Sequence, residues 1–148
     1  MHARPVLYLL DTCFLSDLAK PVVPGGVAAW SHTHDANDCG ISILTIGELR
    51  HGIELLPEGR RKSAMQEWLA RDVIQRFDGR TFDVTADIAQ AWGILAARSR
   101  QSNHRVSAAD GLIIGTAIMH HMTVVTRNMR DFAGYDVPVV NPWDTTEE

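Results

Sequence analysis

The sequence predicts an α/β domain built on a parallel sheet, and three observations carry that expectation. Apolar runs of strand length alternate with stretches of helical periodicity along the chain, the pattern of strands joined by crossover helices. The segment Ser107 to His121 is apolar nearly all round, so it needs cover on every side and should be the most buried helix. A chain of 148 residues with 45% hydrophobic content is one domain by size, large enough to bury about 70% of its unfolded surface.

The first strand is Val6 to Leu10, closed by Asp11. After the break at Pro21 to Gly26, Val27 to His34 reads as a short helix and Gly40 to Ile43 as a short buried strand. Thr45 opens a helix with Ile46, Leu49, Ile53 and Leu56 on one face, ended by Pro57, because a residue before proline is pushed out of helical geometry. Glu58 to Phe77 is a second helix that turns Met65, Leu69, Ile74 and Phe77 to one side. Arg80 to Phe82 is a weak strand. Thr85 to Arg100 is a helix carrying Ile88, Trp92 and Leu95 at helical spacing, followed by a polar loop from Gln101 to Val106. Thr123 to Thr126 is the last strong strand, Val137 to Val140 adds an edge, and Asp144 to Glu148 reads as a frayed acidic tail. The chain has no internal repeat, low-complexity segment or linker, so residues 1–148 are expected to form a single domain.

Composition excludes several classes. Cys13 and Cys39 have no CxxC or Cys/His ligand spacing, which favours free thiols in a reducing compartment. The apolar run near the N-terminus is too short for an export signal, and no stretch reaches the ~20 apolar residues of a membrane helix, so a cytoplasmic protein is expected. A net charge of −4 argues against holding nucleic acid by bulk electrostatics alone. Of the 14 cationic side chains only Lys20 and Lys62 are lysine; arginine is the better planar fork for phosphate, although base composition explains the bias as well.

Four carboxylates sit at or near strand ends and helix starts: Asp11, Glu48, Asp110 and Asp131. In open α/β sheets ligands gather beyond the carboxyl ends of strands, so Asp11 either faces that crevice or caps the short helix that follows. Thr45-x-x-Glu48 and Ser107-x-x-Asp110 both fit the capping box, in which an acid in the first turn reaches back to the cap amide. Capping and metal binding are compatible, since the helix dipole favours the ionised carboxylate that a metal needs. Asp131 follows the last strand and either pairs with Arg127 or Arg130 in solvent or joins the other acids, with Thr126 and Asn128 orienting a water or a carboxylate. Acids brought together from distant stretches repel, and a divalent cation is the usual remedy; such a cation is also a common tool for cleaving phosphate esters.

Other residues invite less. His120 and His121 adjoin a helix end and point in different directions, Trp30, Trp68, Trp92 and Trp143 read as packing residues, and no phosphate-binding glycine loop, nucleophile elbow or zinc motif is present.

In order, Leu9-Leu-Asp-Thr-Cys-Phe-Leu-Ser16, Ser42-Ile-Leu-Thr-Ile-Gly-Glu-Leu-Arg-His-Gly52, Ala108-Ala-Asp-Gly-Leu-Ile-Ile114 and Val125-Thr-Arg-Asn-Met-Arg-Asp-Phe132 resemble the signature blocks of PIN-domain ribonucleases, with the closest likeness to VapC and FitB-like toxins of bacterial toxin–antitoxin pairs. The match runs from Val6 to Asn141-Pro-Trp143. The resemblance implies a three-layer α/β/α sandwich around a parallel sheet, usually as a homodimer, and a magnesium- or manganese-dependent endoribonuclease. It assigns Asp11, Glu48, Asp110 and Asp131 to the acidic site, with Asp11 and Asp110 as principal Mg²⁺ ligands and Thr12, Thr126 and Asn128 in support. It further implies a cognate VapB/FitA-like antitoxin that blocks the acidic site and makes any contact to operator DNA. Cys13 departs from the asparagine common after Asp-Thr in the family, which puts one local hydrogen bond in question.

Two other classes stay open on the residues alone. A phosphatase or phospho-acceptor domain would use Asp11 as nucleophile, although Cys13 occupies the place of the second aspartate such a site wants. An inactive module with an acidic rim would bind a basic peptide.

Overall fold

The structure, a computed structural model, describes residues 5–101, 106–132 and 134–144. Five parallel strands form one sheet: β1 (Tyr8–Leu10), β2 (Cys39–Ser42), β3 (Thr81–Phe82), β4 (Thr123–Val125) and β5 (Val139–Val140), in the order β3-β2-β1-β4-β5. Tyr8 stands beside Cys39 on one side and Thr123 on the other. The chain leaves β1 toward β2 and β3, then crosses back to lay β4 and β5 against the opposite edge of β1. That reversal opens a crevice beyond the ends of β1 and β4.

Side-chain alternation along the strands builds the layers. Leu9 and Val124 point to one face of the sheet, where Leu95 of α5 (Ala86–Gln101), Ile113, Ile114 and Ala117 of α6 (Ala108–His120), and Phe132 of α7 (Met129–Phe132) cover them. Leu10, Ile41 and Val125 point to the other face. Phe14 of α1 (Thr12–Leu18), Val27 of α2 (Gly25–Thr33), Leu49 and Ile53 of α3 (Ile43–Glu54), and the helix that begins as α4 (Arg60–Trp68) cover that side. The expected α/β/α sandwich is the observed fold. Among the described residues, no helix is long and apolar enough to cross a membrane.

As the sequence suggested, α6 is deeply buried, from Ile113 to Ala117 without a break. Its approach to α5 depends on glycine: a Cβ at Gly111 would stand 2.4 Å from the Trp92 ring.

Three expectations need correction. The helix expected to open at Thr45 begins at Ile43, because the Ser42 hydroxyl accepts the Leu44 N–H at 3.1 Å and occupies the cap. It ends at Glu54, before Pro57 can act on it. The helix expected over Glu58 to Phe77 starts at Arg60 and widens at Leu69–Gln75 into a π-helix, where Arg76 N–H donates to the Arg71 carbonyl. Along this helix Leu69, Val73 and Phe77, four residues apart, are buried in the core and Ile74 is exposed. Strand and helix ends elsewhere shift by a few residues, as for Val27 to His34, which is observed as Gly25–Thr33. Most of the loop expected over Gln101 to Val106, and the tail beyond Asp144, lie outside the described residues.

Candidate active site

Beyond the ends of β1 and β4 the acids singled out in the sequence come near one another, close enough for Asp11, Asp131 and Glu48 all to act on Asp110. Asp11 caps α1 and is 7% exposed; its Oδ1 accepts the Thr12 N–H at 2.8 Å and its Oδ2 accepts the Thr126 hydroxyl at 2.7 Å. Its two readings, cap and crevice acid, are thus both met by one geometry. Thr126 is fully buried and also accepts the Asn128 N–H at 3.0 Å, so the turn after β4 is tied to the end of β1.

Glu48 comes from the second turn of α3. Because Ser42 holds the cap, Glu48 has no cap amide to reach and its carboxylate accepts the Thr12 hydroxyl instead. Thr12 thereby bridges two acids, offering its amide to Asp11 and its hydroxyl to Glu48, with Thr45 Oγ1 3.2 Å away.

Asp110 lies in the first turn of α6, where its N–H donates to the Ser107 hydroxyl at 3.1 Å, the cap predicted from sequence. Burial, then Asp11, then Asp131 push its carboxyl up to about 6, with a smaller push from Glu48. One carboxyl therefore feels all three of the others. Asp131, on α7, accepts the Asn128 side-chain amide at 2.6 Å rather than pairing in solvent with Arg127, which turns to Asp17.

Cys13 occupies the space between Asp11 and Thr126, with Sγ 3.7 Å from Asp11 Oδ2 and 3.7 Å from Thr126 Oγ1. Burial pushes its thiol up, opposed by the Arg127 backbone N–H and reinforced by Asp11. Cys39 is buried under α2 with its thiol pushed up to about 11, and neither cysteine is in a disulfide.

Sequence reasoning passed over Asp17. It is 3% exposed, and its carboxylate takes Lys20 Nζ at 2.7 Å, the Trp143 indole N–H at 2.8 Å and Arg127 at 3.6 Å. Burial raises its carboxyl, but these partners outweigh burial and hold it below the ordinary range. Its only signal in the sequence is an acid on the apolar face of a short helix.

Among the described residues, no three His, Cys, Asp or Glu side chains converge on one point as ligands. The rim is open, and that suits an oxygen-seeking ion such as magnesium, which binds through one or two carboxylates and keeps several waters. The donor set, all carboxylate oxygen with mutual repulsion to relieve, fits such an ion.

Acids are collected in this way at the reversal point of a parallel sheet, where ligands gather in open α/β folds. The family whose sequence profile matches is the PIN domain, over residues 8–137. Toxin FitB of Neisseria gonorrhoeae is 33% identical over 93% of this chain and 99% of its own. A VapC ribonuclease of Sinorhizobium fredii is 30% identical over 93% of this chain and 99% of its own. Among solved structures, FitAB bound to an IR36 DNA fragment matches with a TM-score of 0.89 and 31% identity, over 95% of this chain and 99% of that one. The chain belongs to the PIN-domain family, whose nucleases are generally metal-dependent.

Proposed function

We propose that this chain is an endoribonuclease toxin of a toxin–antitoxin pair, acting in the cytoplasm with Mg²⁺, or Mn²⁺ in its place, as one nuclease domain over residues 1–148. The observation that carries the reading is geometric: Asp11 and Asp131 are held at the turn after β4 by Thr126 and Asn128, Glu48 is tied to the same place through Thr12, and their proximity adds to burial in raising the Asp110 carboxyl. A site that accumulates negative charge at this cost is built to receive a cation before it receives a phosphodiester.

In this reading Asp11 and Asp110 hold the ion, and Glu48 and Asp131 shape the rim or hold a second ion. Bound there, such an ion would lower the pKa of a water it holds and offset negative charge developing on a phosphodiester. The chain's own residues do the positioning. Thr12 N–H and the Thr126 hydroxyl occupy one direction on each Asp11 oxygen, so that carboxylate cannot rotate out of the crevice. The Thr12 hydroxyl fixes Glu48 and the Asn128 amide fixes Asp131. Preorganisation of this kind avoids reordering the site as charge develops in the transition state.

One structural relative is FitAB bound to an IR36 DNA fragment; a cognate antitoxin and operator contacts made through it are proposed here, together with the homodimer that the family resemblance implies. An acidic crevice is a good receptor for an inserted arginine.

The test compares wild type with Asp11→Asn on RNA in magnesium. Asparagine keeps an acceptor for Thr12 N–H, so the variant should fold, while cleavage should fall by about a thousandfold or more, as when a transition-state contact is lost. Equal cleavage by the two purified proteins would reject the assignment.

A further inference from the structure

The arginine at position 127 is held in a way its surroundings do not require for charge balance. Lys20 already neutralises Asp17 through Oδ1 at 2.7 Å. Arg127 approaches the other oxygen of Asp17 at 3.6 Å and lies with Cζ 5.2 Å from the centre of the Trp143 ring, leaving its side chain 57% exposed. Trp143 is itself fixed by its indole N–H on Asp17 and by edge contact with the Phe14 ring. The guanidinium is therefore oriented by a buried carboxylate and an aromatic face, yet remains open to solvent.

Its place in the chain matters as much. Arg127 follows Thr126, whose hydroxyl holds Asp11, and precedes Asn128, whose amide holds Asp131. An oriented cation thus stands on the turn that positions two of the acids. Arg50, by contrast, is consumed on the helix surface by Glu54 at 2.9 Å. A phosphodiester approaching four carboxylates on a chain of net charge −4 needs a fixed positive group beside them. On the ribonuclease reading above, we propose that Arg127, with Asp17 and Trp143 as its positioning residues, grips a phosphate of the RNA strand beside the scissile bond.

The test is binding of a short mixed-sequence single-stranded oligoribonucleotide to the full chain carrying Asp11→Asn, so that nothing is cut, measured across a salt series in magnesium. Adding Arg127→Ala should weaken binding about tenfold and reduce the slope of log affinity against log salt by about one. Arg127→Lys should restore the slope without the affinity, because it keeps the charge and loses the planar fork. Asp17→Asn keeps an acceptor for Trp143 and should weaken binding by less than Arg127→Ala does. Unchanged affinity and slope in a folded Arg127→Ala or Arg127→Lys protein would overturn the assignment alone. No salt-dependent RNA binding by the Asp11→Asn parent would overturn the ribonuclease reading and the assignment with it.

Discussion

The Thr126 hydroxyl donates to Asp11 Oδ2 at 2.7 Å across 115 residues of sequence, and this buried contact joins the ends of β1 and β4. Thr126 itself is fully buried, so its hydroxyl has no water to turn to. Removing it leaves a buried carboxylate oxygen short of a donor, and hydrogen bonds to charged groups are worth about 1.5–3 kcal/mol.

Thr126→Val keeps the shape and removes the donor. Activity should fall about 10- to 100-fold, the usual penalty for losing a group that orients a metal-binding carboxylate. The Mn²⁺ concentration that half-maximally raises the melting temperature should rise in parallel. If cleavage and Mn²⁺ response both match wild type, the Thr126 contact is not part of the working site.

The charge on Asp110 predicts a pH dependence with a definite sign. Its folded-state carboxyl titrates at about 6, whereas an unfolded aspartate titrates near about 4. The folded chain therefore binds the proton more tightly, and stability is lost as pH rises between those values. In EDTA, Asp110→Asn should be more thermally stable than wild type above about pH 6, with the gap closing toward about pH 4. Saturating Mn²⁺ should reverse the order at neutral pH, because only wild type gains the ion. A gap that ignores both pH and metal would dismiss the repulsion.

The cap of α3 can be assigned by a pair of variants. Ser42→Ala should cost about 1 kcal/mol in denaturant unfolding and leave Glu48 bonded to Thr12. Thr45→Ala should show no loss of a cap. No loss of stability in Ser42→Ala would take the cap away from Ser42.

Gly111→Ala tests the packing behind Asp110. The added methyl would meet the Trp92 ring at 2.4 Å, so despite the better helix propensity of alanine the variant should lose about 1–3 kcal/mol, the usual cost of overpacking. Gly93→Ala on α5, where a Cβ meets nothing within 4 Å, is the control and should be neutral or stabilising. Equal stability of the two would show that Trp92 moves aside freely.

Much of the site was readable because its acids sit where local rules place them. Asp11 closes an apolar run and Asp110 follows Ser107 at capping distance, and both signals are contained within a few residues. For Glu48 the competing reading, a capping box opened by Thr45, does not hold. The capping pattern pointed to Thr45, but Ser42 wins the cap, and what secures Glu48 is Thr12, 36 residues earlier in the chain. No local pattern encodes such a contact.

Asp17 was missed for the same physical reason. Lys20, three residues on, is a local partner, but Arg127 and Trp143 reach Asp17 only after the sheet has formed. The π-helical segment was also hidden, because i→i+5 hydrogen bonding leaves no mark on composition. Ile74 was placed on the inward side but is exposed, whereas Val73, four residues after Leu69 and four before Phe77, is buried.

The strand order has a consequence for when the site exists. Asp11 and Glu48 lie in the first half of the chain, but Asp110, Thr126 and Asp131, together with Arg127 and Trp143, all come after residue 106. A chain stopped short of α6 holds two acids and none of the groups that complete the crevice. During synthesis the N-terminal portion emerges first, and β1 must wait for β4 before Asp11 gains its Thr126 donor. The charges of Asp110 and Asp131 therefore join those of Asp11 and Glu48 only when almost the whole chain is available.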